Sequence, residues 1–324
     1  MSSLTGSTIS ASRPGFFRRL TSWLDAMPHP AAVCEIAADH VAVARWSGNG
    51  GLESGTAEGL EAGAIKPSPV ETNVVNAEQL ESALRRIFER VSLRGQAVAL
   101  LVPDPVVRVF IFPFDTLPRR AEDANPLLRW RLKKSVPFDV DETVISSMRQ
   151  TGRDGGLEVI TAVARQPIVR EYEKALEAAG AIPGVVLSST MACLPLLAES
   201  GATMLIRAVG NSLTTAIVRD KNLCVYRSTS LGADVAQLDA HAVLDEIFPA
   251  VAYYQDTWGG ELDRVLMAGF ADREETLRLA LSNELKVNAE RLSDAAAGHG
   301  LSADARGMLS QGQEALVGWM ANAN

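Results

Sequence analysis

The chain has few side chains whose types and spacing could perform chemistry. Asp39 and His40 are adjacent, and a carboxylate beside an imidazole could act in acid–base catalysis. Their place between two apolar runs is more typical of a solvated turn. Asp139, Asp141 and Glu142 form an acidic run. Paired carboxylates serve glycosidases, but a run at the start of a strand is usually a solvated edge, so neither group alone predicts a catalytic site.

Metal, disulfide and nucleic-acid chemistry are not favoured by the composition. Four histidines and the three distant cysteines Cys34, Cys193 and Cys224 form no CxxC or Cys/His pair, which predicts buried, reduced thiols and no metal site. No GxSxG or GxxxxGK[ST] motif is present. A net charge of −8 and a pI of about 5.2 are unlike those of a general nucleic-acid binder. With 47% hydrophobic residues, the chain is an ordinary globular protein.

One short segment is strongly basic and contains an aromatic residue. Arg129, Arg131, Lys133 and Lys134 surround Trp130. This pattern suits a surface that meets an acidic partner or the inner leaflet of a membrane. It is equally consistent with a solvated helix face whose Trp130 packs into the protein.

The N-terminal residues predict two segments. Residues 1–14 are rich in Ser, Thr and Gly and are expected to be disordered. Residues 15–30 are expected to contain an amphipathic helix, with Phe16, Trp23 and Met27 on one face and arginines on the other. That face could lie on a membrane surface or dock on the protein's own body. No spanning segment or secretory signal is apparent, so we expect a cytoplasmic protein.

The elements that must position these residues alternate between strands and helices. A hairpin (Val33 to Ala37, Val41 to Trp46), a helix from Ala77 to Val91 and a strand from Gln96 to Val102 come first, whereas Ser54 to Pro69 reads as a loop. From Thr203, three short strands again form a meander that leads into helices. Two blocks that each open with a meander predict duplicated α/β subdomains rather than one doubly wound sheet.

Four stretches in this order resemble a known family. They are Leu127 to Asp141, Val159 to Gly180, Val209 to Thr215 (similar to a second phosphate loop) and Arg264 to Ala271 (similar to an adenosine loop). Together they resemble the actin-like ATPase superfamily, and within it the PilM family of type IV pilus assembly proteins, which is related to FtsA. The resemblance covers roughly Ala31 to the C-terminus.

The resemblance implies a fold class and a domain division. It implies an α/β, actin-like (ribonuclease H-like, duplicated) fold with an inserted β-α-β-β-α subdomain and a reduced second half. The first half would span residues 31–200 with the insertion at 105–182, and the second half residues 201–292. Residues 293–324 would return to the first half. The outer subdomain that follows Gly232 in the family is missing here.

The same resemblance predicts a vestigial nucleotide cleft. The family's first phosphate loop, Asp-Ile-Gly-Ser, corresponds to Glu35 through Ala38, which precede Asp39. In the second loop Ala208 replaces the magnesium-side Asp before Gly210, which leaves Ser212 and Thr214 as ordinary hairpin residues. In the adenosine loop, Phe270 follows Gly269 where the family has a second glycine. We therefore expect no ATP, no magnesium and no catalytic residue.

The resemblance also implies a partner. In the family, the first subdomain and the insertion form a channel for the N-terminal peptide of a bitopic membrane protein, PilN. Here Val109, Ile111 and Phe138 are expected to line it, with Arg129 and Lys133 attracting acidic residues of the tail. The expected function is a non-catalytic adaptor, peripheral at the inner membrane. The alternatives are an actin-fold ATPase or small-molecule kinase, and a cytoplasmic piece of the related L-type protein of type II secretion.

Overall fold

The computed structural model describes residues 30–46, 52–197, 200–297 and 301–321. The expected disordered stretch (residues 1–14) and the helix expected from Phe16 to Met27 lie outside the described residues. The strands are β1 (Ala32–Ile36), β2 (His40–Trp46), β3 (Leu52–Gly59), β4 (Ala97–Val102), β5 (Arg108–Phe114), β6 (Thr143–Thr151), β7 (Leu157–Arg165), β8 (Ile182–Ser188), β9 (Ala202–Val209), β10 (Ser212–Arg219), β11 (Asn222–Ser230), β12 (Arg264–Ala268) and β13 (Asn288–Arg291). The helices are α1 (Ala77–Val91), α2 (Ala121–Leu132), α3 (Gln166–Ala178), α4 (Ser189–Cys193), α5 (Ala240–Trp258), α6 (Glu274–Leu285), α7 (Leu292–Ala297), α8 (Ala303–Ser310) and α9 (Glu314–Ala321).

Two five-stranded sheets share one topology. The first has the order β3-β2-β1-β4-β8 and the second the order β11-β10-β9-β12-β13. In each sheet the first three strands in sequence form an antiparallel meander. The fourth strand pairs in parallel with the first strand of the meander, and the fifth pairs in parallel with the fourth. The central parallel strands β4 (AVALLV) and β12 (RVLMA) are mostly apolar because both of their faces are covered. The predicted fold class, with duplicated α/β halves, is confirmed.

The insertion between β4 and β8 has the predicted order of strand, helix, strand, strand and helix. Its three strands form an antiparallel sheet in the order β5-β7-β6, with α2 between β5 and β6 in sequence. One face carries Phe110 and Phe112 and packs under the buried side of α2. The other face carries Ile111 and Ile160 and packs against the body of the protein. The sheet therefore separates α2 from the two halves.

Three local expectations differ from the structure. The stretch from Ser54, expected as a loop, begins inside strand β3, whose glycines and glutamates have low strand propensity but pair along β2. The helix expected from Pro126 to Lys134 instead runs from Ala121 to Leu132, and Pro126 lies inside it, where one i→i−4 backbone hydrogen bond is missing. The four-residue strand β13 was not expected and is held by its parallel pairing with β12.

The C-terminal helix α9 packs on the first half. Its Gly318 lies against α4 so closely that an added Cβ would lie 2.1 Å from the carbonyl oxygen of Ala192. The side chains of Leu316 and Trp319 are buried in the same core cluster as residues of β1 and β9. This cluster joins the two halves, so the C-terminus contributes to the interface between them. The domain boundaries expected at residues 200 and 292 stay predictions.

Candidate functional site

A buried ion pair occupies the cleft between the two sheets. Glu35 comes from β1 of the first half and Arg207 from β9 of the second, and Arg207 Nη2 donates to Glu35 Oε1 at 2.8 Å. The two side chains are 0% and 4% exposed. Both residues lie on strand faces that point toward the opposite half, because their neighbours of the same parity, Val33 and Leu205, belong to the shared core. The pair therefore joins the halves at the place where the family resemblance puts the phosphate loops.

The charges in this cleft shift one another's ionisation. Burial alone would raise the pKa of Glu35, but Arg207 and then His40 outweigh it and hold the pKa below its ordinary value. Glu314, at the start of α9, is also buried, and burial raises its pKa although Arg207 opposes the shift. One guanidinium thus acts on two buried carboxyl groups, whose pKa values are shifted in opposite directions.

The two hairpin turns that correspond to the phosphate loops are in contact. A Cβ built on Gly210, in the turn between β9 and β10, would lie 3.6 Å from the Cβ of Ala38 in the turn between β1 and β2. The carbonyl oxygen of Gly210 accepts a hydrogen bond from the backbone N–H of Val235 at 2.8 Å. Asn211 O likewise accepts from Leu231 N at 2.7 Å. The short linker after β11 therefore covers the second loop.

The expected adenosine loop is closed as well. Gly269 follows β12 with a φ of +84°, and a Cβ there would lie 1.9 Å from the carbonyl oxygen of Ala208. Phe270 is 2% exposed and packs with Val235 and Leu277. Ala208 itself is buried in that cluster and offers no metal ligand. The residues present do not fit Mg-ATP, since the metal-side carboxylate is absent and Phe270 fills the base side.

The Asp39–His40 pair lies at the rim of the cleft. His40 Nδ1 and Asp39 Oδ1 are 2.7 Å apart, and Asp39 is exposed. Burial lowers the pKa of His40, but the hydrogen bond to Asp39 outweighs it, so the pKa lies above its ordinary value. No third group completes a catalytic set among the described residues. The remaining cleft residues, Ser212 and Thr214, are buried in β10.

A hydrogen-bond network around Asp104 also crosses between the halves. Asp104 follows β4 and is 5% exposed. Its carboxylate accepts hydrogen bonds from Thr190 of the first half, at 2.9 Å from the backbone N and 2.5 Å from Oγ1. It also accepts from Thr214 Oγ1 at 2.9 Å and from Tyr226 OH at 3.0 Å, both of the second half. Four donors satisfy one buried carboxylate, which fixes the position of the second sheet relative to β4.

An apolar cavity lies between the insertion and the first half. It has a volume of about 260 Å³. It is lined by β6, β7 and α3 of the insertion on one side and by β8 and α4 of the first half on the other. Val144, Met148, Ile160 and Leu194 supply much of its surface, and Glu173 lies at its polar part. Val144 is 44% exposed, so the cavity reaches the solvent. Its size and apolar lining are suited to one or two aliphatic side chains of a ligand.

The structure distributes the predicted partner-binding residues over different surfaces. Val109 and Ile111 share the body-facing side of β5, but they line a second cavity of about 550 Å³ beside β11 and α5. Phe138 packs on the opposite face of the insertion sheet, with Leu132 of α2. The structure therefore does not bring Phe138 together with Val109 and Ile111.

The two cationic residues predicted to bind the partner, Arg129 and Lys133, lie in different environments. Arg129 donates to the carbonyl oxygen of Val140, to Thr143 Oγ1 at 3.2 Å and to Thr143 O at 3.1 Å. Its guanidinium ties α2 to the start of β6 and is not available to a tail in the apolar cavity. Lys133 is exposed on the outer side of α2. Neither charge lines the cavity between the insertion and the first half.

Sequence reasoning missed Arg207, Asp104 and the lining of the apolar cavity. A signal for Arg207 exists: β1 and β9 are apolar strands that each contain a single charged residue, of opposite sign. A lone charge in a buried strand requires a buried partner. No comparable signal marks Met148 or Leu194, because the cavity depends on how the insertion packs on α4.

Other chemistry finds no support in the parts of the chain that the structure describes. There, no group of three or more His, Cys, Asp or Glu side chains is arranged to hold a metal ion. All three cysteines are buried without a disulfide, and burial raises the pKa of Cys224 to about 12. Among these residues, no helix has both the length and the apolar character needed to cross a bilayer.

Comparison with solved structures shows which known fold this chain resembles. No model of a known protein family matches the chain, and a search of curated proteins finds no relative. A chain of the solved PilM-PilN type IV pilus biogenesis complex superimposes with a TM-score of 0.72 at 19% identity, covering 91% of this chain and 98% of that chain. The chain has a PilM-like, actin-like fold.

Two other solved structures match less well. They are the cytoplasmic domain of the Vibrio cholerae type II secretion component EpsL (TM-score 0.47, 11% identity, 73% and 80% coverage) and a Bacteroides thetaiotaomicron protein of actin-like ATPase fold (0.48, 10%, 88% and 97%). The PilM-like fold includes the insertion, since nearly the whole of both chains is superimposed.

Proposed function

We propose that the protein is a non-catalytic assembly protein of a type IV pilus or a related secretion machine. In this proposal it lies under the inner membrane and binds the N-terminal tail of a PilN-like bitopic membrane protein. The observation that carries the proposal is the likeness, over 91% of this chain and 98% of the other, to a chain of the PilM-PilN complex.

The apolar cavity of about 260 Å³ supports this proposal and supplies the tail site. It lies between the insertion and the first half, where the resemblance to the PilM family predicts a peptide channel. Its apolar wall of Val144, Met148 and Leu194 would bury aliphatic side chains of an extended tail, which supplies affinity. Glu173 lies at the polar part, where its carboxylate accepts a hydrogen bond from Arg170 at 2.8 Å. This assignment replaces the groove expected from Val109, Ile111 and Phe138.

The contents of the nucleotide cleft support the non-catalytic part. An ATPase of this fold needs a carboxylate where Ala208 stands, and it needs space where Phe270 and the linker at Val235 pack. Arg207 also forms an ion pair with Glu35, the acidic residue that starts the first phosphate loop. An active ATPase or kinase would have to open all of these contacts before it could bind its substrate.

Tail binding can be tested with one substitution in the cavity. Val144→Asp places a carboxylate in the apolar wall at a site that is already 44% exposed, so the fold should tolerate it. We expect the affinity for a synthetic N-terminal tail of the PilN-like partner, measured by calorimetry, to fall at least about 10-fold. Val75→Asp is the matched control, because Val75 is 57% exposed and does not line the cavity. Equal affinity of both variants for the tail would refute the site.

The non-catalytic proposal has an independent test. Mg-ATP at millimolar concentration should leave the melting temperature of the wild-type protein unchanged. A ligand at 100 times its dissociation constant stabilises the folded state by about 2.7 kcal/mol, which such a scan detects easily. Ala208→Asp alone should not create binding, because Phe270 and the linker still fill the cleft. A clear rise in melting temperature with Mg-ATP would favour the ATPase or kinase alternative.

A further inference from the structure

The outward face of α2 exposes two large apolar side chains. Ala124, Leu128 and Leu132 form the buried side of this helix. On the other side Trp130 is 70% exposed and Leu127 is 43% exposed. Trp130 is the most exposed large apolar side chain among the described residues. An indole held in water on a helix that already has a buried face needs a further explanation.

The cations around Trp130 are free. Lys133 and Lys134 follow the last turn of α2, are exposed, and form no ion pair with another described residue. Arg119 and Arg120 are also exposed, but they precede α2 and lie at the end far from Trp130. By contrast, arginines on α1 and α3 pair with carboxylates of their own surface, as Arg86 does with Glu58. A protein of net charge −8 thus keeps a local group of unpaired cations on the insertion.

Acidic side chains lie near both ends of the helix. The exposed Asp141 and Glu142 follow Val140, whose carbonyl oxygen accepts a hydrogen bond from Arg129 in the last turns of α2. Glu122 and Asp123 are in its first turn. Asp123 is seven residues before Trp130, which corresponds to about 10 Å along the helix axis. Arg131 extends the basic end, where its guanidinium lies over the rings of Phe112 and Phe114 at 5.7 Å. At this end of α2 the cations Arg129, Arg131, Lys133 and Lys134 outnumber the carboxylates Asp139 and Asp141, because Glu142 is paired with Arg165. The surface that combines Trp130 with Lys133 and Lys134 is therefore locally positive.

We propose that this surface, formed by Leu127, Trp130, Lys133 and Lys134, binds the anionic headgroups of a phospholipid bilayer. Tryptophan prefers the membrane–water interface because its ring is apolar and its N–H is polar. Lysines beside it gain from the negative potential of an anionic leaflet. An acidic protein would also be attracted to these cations, and tryptophan occurs at protein interfaces too. We favour the bilayer because lysines combined with Trp and Leu on one helix are typical of helices that lie at the membrane interface.

This inference goes beyond the proposed function and stands on other residues. The insertion sheet has α2 on one face and the apolar cavity on the other. A bilayer bound at α2 therefore leaves the cavity open. The surface also differs from the segment Phe16 to Met27, which lies outside the described residues and which the sequence offers as another membrane contact.

Vesicle binding by the full chain tests the inference. The probes are large unilamellar vesicles of pure phosphatidylcholine and of phosphatidylcholine with 30% phosphatidylglycerol, assayed by flotation at 50 and 300 mM NaCl. Wild type should bind only the anionic vesicles, and more weakly at high salt. Lys133→Glu/Lys134→Glu should weaken this binding at least 10-fold. Lys66→Glu/Lys174→Glu makes the same charge change at exposed sites elsewhere and should bind like wild type.

The apolar contribution has its own readout. Trp130→Ala should weaken anionic-vesicle binding several-fold with little change in salt dependence, and circular dichroism should show both α2 variants folded. The reasoning is overturned if wild type does not bind anionic vesicles, or if both α2 variants bind them like wild type. It is also overturned if Phe16→Ala/Trp23→Ala alone abolishes binding while the α2 variants do not weaken it. Capture of soluble polyglutamate at 50 mM NaCl without vesicle binding would assign the surface to an acidic protein instead.

Discussion

The ion pair between the two halves allows a quantitative test of the cleft. Arg207→Met removes the guanidinium but keeps much of the side-chain volume. Glu35 would then be fully buried without its cation, since its side chain is 0% exposed in the wild type. Breaking a buried pair in this way costs about 3–5 kcal/mol, mostly because a charge is left uncompensated.

The cost can also be worked from ionisation. In the variant Glu35 can avoid a buried charge by taking up a proton. From its ordinary pKa of 4.5, protonation at pH 7 costs about 3.4 kcal/mol, at 1.36 kcal/mol per pH unit. At pH 5 the same step costs only about 0.7 kcal/mol. Since protonation is the cheaper alternative to a buried charge, we expect Arg207→Met to lose about 3 kcal/mol of unfolding free energy at pH 7, and much less at pH 5.

The sign of this pH dependence differs between the two proteins. In the wild type the pKa of Glu35 is lowered, so its contribution to stability is present above pH 4.5 and is lost as the pH falls. In Arg207→Met burial raises the pKa of Glu35, so stability is highest below pH 4.5 and is lost as the pH rises. The difference between the two proteins must therefore widen from pH 5 to pH 8.

Urea unfolding followed by circular dichroism at pH 5, 6, 7 and 8 measures this difference. The control is Glu35→Leu/Arg207→Met, which removes both charges and should recover about 2 kcal/mol or more relative to Arg207→Met at pH 7. A loss below about 1 kcal/mol for Arg207→Met at pH 7, or a loss that does not shrink at pH 5, would refute the reasoning. So would a double variant as unstable as the sum of its two single variants.

Two further substitutions test the surroundings of the cleft. Glu314→Gln should raise the unfolding free energy by roughly 1 kcal/mol at pH 7, because burial raises the pKa of Glu314, and the gain in urea titrations should vanish below pH 4.5. Gly269→Ala should lower the free energy of unfolding by at least about 2 kcal/mol, and the melting temperature with it. The reason is that the φ of Gly269 is +84° and the added Cβ would clash with the Ala208 carbonyl oxygen. Gly307→Ala, in α8 with open space around it, should instead stabilise by roughly 0.5–1 kcal/mol in the same scan.

Local signals in the sequence identified the amphipathic elements. Helix α1 runs from Ala77 to Val91 as expected, because its buried residues recur at helical spacing and the Asn76 side chain accepts from Gln79 N at the N-terminus. Strand β3 was missed because its glycines and glutamates give no apolar alternation, and only pairing with β2 makes it a strand. The family resemblance supplied the order of the halves, which the superposition on a PilM-like chain confirms.

The cavity and the cleft could not be derived from the sequence in the same way. Strand alternation separates Ile111 from Phe110 correctly, but it does not say which face of the insertion meets the first half. The hydrogen bond between Glu35 and Arg207 joins residues 172 positions apart. Such contacts depend on how the insertion and the two halves pack, and a single sequence carries no direct record of that arrangement.

The contacts in the cleft explain how the halves can stay together under the proposal that no nucleotide binds. Glu35 and Arg207 join β1 to β9, and Asp104 joins the end of β4 to Thr214 and Tyr226 of the second sheet. These bonds are buried, so water competes with them weakly and their geometry is restrictive. Opening the cleft would expose a charged pair and a carboxylate with four donors at once. Protonation of Glu35 weakens its ion pair with Arg207, and burial disfavours the ionised form of Glu314. The strength of the interface between the two halves should therefore depend on pH rather than on the concentration of a ligand.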